Sequence, residues 1–295
     1  MEQLSQALTA TLSPDNAMRE AAETYLIGLR KTAGQIVVLL QVISAADGVQ
    51  RELRQAAAIM LKNAIRQHWE PRGDAAKAGD VGIFPADRAV LKENLLGVLV
   101  RETDNSVRNL VVEGINEVAR CDLIKGEWPT LLPEVRGHLT SGDQLRTYNS
   151  LVALRGVVKI FEHKPFEQRA PLDQIVEVSF PQVLAILGQT AASNTIEAAQ
   201  TNVLILKLVW NATQFALPKC YRENPALTDP WMEACLALLQ KPLPEASEGL
   251  EPAGQPTDEE ERMAWPWWKA KKRAMQLAAR WFERFGRKGK VEDMY

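Results

Sequence analysis

Apolar residues recur at helical spacing along most of the chain, most clearly over 51–69, RELRQAAAIMLKNAIRQHW. Leu53, Ala56, Ala57, Met60, Leu61, Ala64, Ile65 and His68 keep the i, i+3, i+4, i+7 interval. They draw one stripe along a helix of about five turns. The stripe is rich in alanine, so a neighbouring helix can approach closely. Glu52, Gln55, Lys62, Asn63 and Arg66 occupy the other side. A close-packing side and a polar side suit a stacked array, in which one side meets its neighbours and the other lines a groove.

The same period predicts helices over 2–12, 15–31, 34–46, 87–102, 106–120, 131–139, 143–162, 172–187, 195–215 and 265–285. Ser13 is the expected N-cap of the second, with Pro14 at its first helical position. Pro181 should kink or split the helix over 172–187. Gly, Pro, Asp and Ser mark the joints and the loop 70–85. Arg72-Gly73-Asp74 in that loop matches an integrin-binding tripeptide, a coincidence in a chain with no secretory signal. No segment sustains a period of two, so the predicted fold is all-α. Leu53-Arg54, Val107-Arg108 and Leu145-Arg146 each open the second helix of a pair, and pairs of about 40 residues fit HEAT-like arrays. The expected architecture is an α-solenoid of about six antiparallel pairs in a right-handed superhelical arc.

Composition narrows the function. Thirty-five basic and 37 acidic residues leave a net charge of −2, which gives no electrostatic argument for direct nucleic-acid binding. Cys121, Cys220 and Cys235 are widely spaced and odd in number, so no disulfide framework is implied and a reducing compartment fits. The N-terminus has no basic, then apolar, signal pattern. The most apolar run, 203–210, is interrupted by Lys207 and too short to span a bilayer, so no membrane insertion is expected. His68, His138 and His163 are isolated, and the nucleophile-elbow, phosphate-loop and dinucleotide patterns are missing. Glu113 and Glu117 read as groove-facing charges, not an acid–base couple. An enzyme is not expected, nor a cofactor or metal.

Two segments near the C-terminal end differ sharply. Residues 242–263 are rich in Pro, Gly and acid and read as a mobile loop. Over 265–285, Trp267, Ala270, Ala274, Leu277, Ala278, Trp281 and Phe285 form one side of a helix. Lys269, Lys272, Arg273, Gln276, Arg280 and Arg284 form the other, read as a solvated face, as is Lys271-Lys272-Arg273. After Gly286 only RKGKVEDMY follows, without the polar outer side of a terminal repeat. The chain therefore reads as the N-terminal piece of a longer protein.

LRQAAAIMLKNAIRQHW resembles the second HEAT repeat of the importin-β (karyopherin-β) nuclear transport receptors, and Arg19-Glu20-Ala21-Ala22-Glu23…Leu26 resembles the opening repeat. Trp267-Trp268-Lys269-Ala270-Lys271-Lys272, with Arg280-Trp281-Phe282-Glu283-Arg284-Phe285-Gly286, is similar to a stretch of the importin-7/importin-8 subfamily and its fungal relatives. The resemblance implies an N-terminal-type domain over 1–70 and further HEAT repeats over 84–286, with the acidic loop at 242–263. It implies a receptor shuttling between cytoplasm and nucleus that binds Ran in its GTP state, protein cargo (basic cargo included) and FG-nucleoporins. By position, the Ran-binding surface would contain Gln55, Lys62, Asn63 and Arg66, then Asn109, Glu113 and Asn116. For Asn63 a hydrogen bond fixing the adjacent loop is an equal alternative. Arg54, Arg108 and Arg146 are expected in ladders between repeats. A HEAT scaffold without a GTPase, or an exportin of the same family, are the competing functions.

Overall fold

The computed structural model describes residues 2–71, 82–244 and 255–285. The described residues contain helices and no strands, and the chain divides into two compact units, Met1–Val157 and Val158–Tyr295.

The first unit begins with α1 (Glu2–Ala10), α2 (Asn16–Gly28), α3 (Gln35–Ser44) and α4 (Arg51–His68). Then come α5 (Pro85–Leu99), α6 (Asn105–Asp122), α7 (Leu131–Leu139) and α8 (Gln144–Phe161), the last containing the division between the units. Helices pack as consecutive pairs: α1 with α2, α3 with α4, α5 with α6. They also pack like with like, α3 against α5 and α4 against α6. This double pattern defines a helical-repeat solenoid, in which each pair buries its apolar faces against the pairs beside it.

On α4 the stripe residues Ala56, Ala57, Leu61 and Ile65 are buried and Leu53, Met60, Ala64 and His68 half-buried, while Ala58, outside the stripe, is buried as well. The cap of α2 falls elsewhere than expected. Asp15 is the N-cap, accepting from the N–H groups of Ala17 at 2.8 Å and Met18 at 3.4 Å, while Ser13 Oγ accepts from Asp15 N. A carboxylate facing the positive end of the helix is the stronger cap.

The second unit contains α9 (Ala170–Ala192), α10 (Ile196–Thr213), α11 (Lys219–Glu223), α12 (Asp229–Gln240), α13 (Glu259–Ala264) and α14 (Pro266–Phe285). Helix α9 packs on α10 and α12 on α14, with α9 against α12 and α10 against α14. Pro181 does not split α9, which runs through it for 23 residues. Val176, Ser179, Phe180 and Val183 around the proline are all buried, and their packing outweighs the lost backbone hydrogen bond. Among the described residues, α9 is also the one helix long and apolar enough to cross a membrane, which the short run 203–210 did not foretell. Here its apolar residues pack within the helical array.

Helix α12, absent from the predicted set, buries Trp231, Cys235 and Leu238. Trp231 donates its indole N–H to the hydroxyl of Tyr221 at 2.9 Å, and burial pushes the Tyr221 hydroxyl pKa up. The acidic stretch is not all loop, since Asp258 caps α13 by accepting from Glu261 N. Arg72-Gly73-Asp74, residues 245–254 and the segment from Gly286 onward lie outside the described residues.

Candidate functional site

Helices α4 and α6 run side by side, and polar contacts tie them along their length. Arg51 Nε meets Asp104 Oδ2 at 2.6 Å, Lys62 Nζ meets Glu113 Oε2 at 3.3 Å, and Trp69 Nε1 donates to Asp122 Oδ1 at 2.8 Å. Partners in these contacts stand 51 to 53 positions apart, so the two helices are parallel and in register. One repeat is laid on the next without slippage.

The end of α4 that begins the stack is fixed most firmly. Asp104 accepts from Ser106 N and Val107 N, each at 2.9 Å, and so caps α6. The Val107 N–H and the Arg51 guanidinium hold its carboxyl below the ordinary range. Arg54 is buried, donating to Ile43 O at 2.8 Å and pairing with Glu102, whose other oxygen accepts from Asp104 N at 2.8 Å. Asn149 donates to Leu99 O and Glu102 O, both at 2.9 Å, closing the turn after α5.

The expected links between repeats form at Arg54, to Glu102, and at Arg108, to Asn149, and Arg51 adds one that was not expected. Arg51 forms the rung to Asp104, while Arg54 is the buried clamp behind it. Arg108 reaches Asn149 Oδ1 at 3.5 Å and lies over the Tyr148 ring at 5.1 Å. Among the described residues Arg146 joins no ladder, and its ion pair is local, to Asp143 at 3.8 Å. Asp143 is the nearer acid because it stands one turn earlier on the same helix end.

The predicted site residues separate into three kinds. Lys62 and Glu113 come together, the lysine side chain 19% exposed and the glutamate 58%. Arg66 and Asn109 are exposed and make no hydrogen bond or ion pair among the described residues. Gln55 and Asn63 are half-buried with no such bond among the described residues, and most of the loop considered for Asn63, 72–81, lies outside them. Asn116 corrects its assignment to the groove. Its amide presses on Gly156 of α8, where an added Cβ would lie 2.1 Å from Oδ1, and that oxygen is buried. The glycine admits an amide that any side chain would displace. Asn116 is thus a packing residue between helices.

An ammonium, a guanidinium, a carboxylate and an exposed amide on adjacent helices can dock a polar protein surface. Among the described residues, no group of three His, Cys, Asp or Glu could hold a metal ion. The residues the spacing missed are Arg51, which supplies the ladder, and Lys92. Lys92 Nζ donates to Asp122 Oδ2 at 3.0 Å and Glu127 O at 2.9 Å, anchoring the far end of the stack.

Residues 22–101, which include α3, α4 and α5, match the importin-beta N-terminal domain. An importin beta-like SAD2 homolog from Arabidopsis thaliana is 32% identical over 280 residues, covering 94% of this chain and 25% of its own length. Importin-8 from Mus musculus is 31% identical over 300 residues, covering 100% of this chain and 28% of its own. The chain belongs to the importin-β family. It spans about a quarter of the length of these importin relatives. The fold agrees with that of the exportin Cse1 in its cargo-free, cytoplasmic state, with a TM-score of 0.77 at 17% identity over 96% of this chain and 30% of that one. Gln55, Lys62, Asn63 and Arg66 lie within the matched importin domain, and Asn109, Glu113 and Asn116 just beyond it.

Proposed function

We propose that the chain acts in nuclear import and binds Ran in its GTP state through the polar surface of α4 and α6. The Lys62–Glu113 rung, one helical turn from the exposed Arg66, carries this reading. Lys62 has three N–H donors and directs one at Glu113, and the Arg66 guanidinium is uncommitted among the described residues. Both can donate to an acidic or polar partner without breaking the packing beneath them. Gln55, Asn63 and Asn109 extend the same surface.

Release of cargo follows by linkage. If Ran·GTP and cargo favour different arrangements of the repeats, each weakens the other by the same free energy. Protein cargo and FG-nucleoporins are the remaining partners, and the receptor shuttles between cytoplasm and nucleus without a cofactor. An exportin would load cargo together with Ran·GTP, so adding Ran·GTP separates the two directions: cargo affinity falls for import and rises for export.

Calorimetry with Ran in each nucleotide state is the direct test. The chain should prefer Ran·GTP, and Lys62→Glu or Arg66→Glu should each weaken it by about tenfold or more, about 1.4 kcal/mol. Equal binding of Ran·GTP and Ran·GDP would overturn the assignment and leave a scaffold function.

A further inference from the structure

Where α9 and α12 end and α14 begins, the second unit has a recess in which hydrogen-bond donors outnumber acceptors. Lys241 reaches back to the end of α9, its Nζ donating to Ala191 O at 2.6 Å and Ser193 O at 2.5 Å. Lys271 of α14 does the same for α12, donating to Leu239 O at 2.5 Å and to Lys241 O. Each ammonium carries three N–H donors, so one on each is left over. Neither lysine has an acidic partner among the described residues. No Asp or Glu among them lines the recess.

The other polar groups are short of acceptors as well. Asn202 is buried, its Oδ1 taken by the Thr190 hydroxyl at 2.6 Å and its amide nitrogen without an acceptor among the described residues. Trp265 and Trp267 are buried with their rings 4.8 Å apart. Neither indole N–H has an acceptor among the described residues. Asn202, Trp267 and both lysines line the one recess. On α14 it is bounded by Trp267 and Ala270, buried residues of the side that packs on α10 and α12. Buried cations are ordinarily paired and buried N–H groups ordinarily bonded. Capping the two helix ends uses part of the donor set and leaves the rest. Burial without a counter-charge holds both lysine pKa values below their ordinary range.

We propose that this recess is a carboxylate site. A carboxylate offers two oxygens and about four acceptor positions, enough for the spare N–H of each lysine, the Asn202 amide and the Trp267 indole. Leu238 and Leu243 add apolar walls, which suit an acid on a hydrocarbon stem better than a fully hydrated phosphate. A free small dicarboxylate and a glutamate side chain of a protein segment both present that group.

Glutarate titrated into the full chain, with sodium chloride at matched ionic strength as control, tests this through the indole N–H signals in heteronuclear NMR. Trp265→Phe and Trp267→Phe assign the two signals. The expected result is a saturable shift of the Trp267 signal and none at Trp69, whose N–H is bonded to Asp122. Lys271→Met should weaken binding at least tenfold. Lys271→Gln, which keeps N–H donors for the end of α12, should weaken it as much. An acidic peptide that saturates the shift at lower concentration than glutarate makes the natural source a protein side chain, and the reverse order makes it a free acid. In a chain carrying Glu245→Gln, Glu248→Gln and Glu251→Gln, a Trp267 signal displaced from the start and returned by glutarate assigns the chain's own acids. No saturable shift in either chain would overturn the proposal. So would a shift that chloride reproduces, an adventitious ion only, or one that Lys271→Gln leaves intact, which would make the lysines helix caps alone.

Discussion

The α4–α6 stack and the α10–α14 stack use one architecture and treat their polar residues in opposite ways. Between α4 and α6 the rungs lie at intervals along the helices, and Arg66 and Asn109 stay uncommitted among the described residues. At α10 the polar contacts gather on one helix end. Arg169 donates to Ala212 O at 2.8 Å, Arg284 to Gln214 O at 2.6 Å and Arg280 to Gln214 O at 3.2 Å. Trp281 donates to Thr213 Oγ1 at 2.9 Å. Three guanidinium groups meet the carbonyls where the helix dipole is negative, so each satisfies an orphan acceptor and a charge preference together. A polar helix side is thus no guide to a binding surface until its neighbours are known.

The sharpest way to separate the stacks is to remove the anchor of the second. Trp281 is buried and hydrogen-bonded, so Trp281→Ala leaves a cavity and should lower stability by about 3–5 kcal/mol in urea unfolding. Trp281→Phe, which keeps most of the volume, should recover the larger part. Equal losses would mean that the hydrogen bond, not the packing, holds the stack.

In the first stack the corresponding anchor is Arg54. Arg54→Ala would leave Glu102 buried and without its cation, at about 3 kcal/mol. Combining it with Glu102→Gln should return part of that loss, since an uncharged amide is cheaper to bury unpaired. Non-additivity in this cycle measures the clamp itself. Smaller still is Arg284→Ala at the end of α10, where losing one exposed donor to helix carbonyls should cost about 0.3–1 kcal/mol.

Periodicity revealed the helices it could count. The alanine stripe of α4 and its opposing polar row, Lys62 included, were legible because both repeat many times, whereas Glu113 was named by position from the family resemblance. Helix α12 escaped because its stripe is only Trp231, Cys235 and Leu238, in a short helix shortly after Pro218 and Pro225. The Asp229-Pro230 opening, an acid and a proline in the first turn, was the available signal. Lys271, Arg280 and Arg284 were read as solvated because their acceptors lie 30 to 70 positions away in sequence. Lys271 donates to Leu239 O and Lys241 O, beyond the C-terminal end of α12 as well as on it. Asn116 shows the same blindness in reverse, since Gly156 determines whether its amide faces a groove or a helix. Tertiary partners decide what each polar residue does, and spacing cannot see them.

The rung between Arg51 and Asp104 offers the finest comparison, because it adds an exposed ion pair to a helix cap. Asp104→Asn keeps a good N-cap and removes only the charge, so its effect should be smaller than any of the preceding ones. Its signature is the pH dependence. The folded carboxyl titrates below its ordinary range, held there by the Val107 N–H and Arg51, so the folded protein binds that proton less readily than the unfolded chain. The contribution is therefore fully present above the unfolded carboxyl's pKa and disappears as pH falls through the folded one. Paired urea titrations of wild type and Asp104→Asn from neutral pH into acid should show a gap that narrows as the carboxyl protonates, and added salt should narrow it at neutral pH too. A gap that holds constant into acid would mean that the cap geometry alone supports the rung. Arg51 would then be decorating the repeat junction, and Arg54 with Glu102 would be its true fastening.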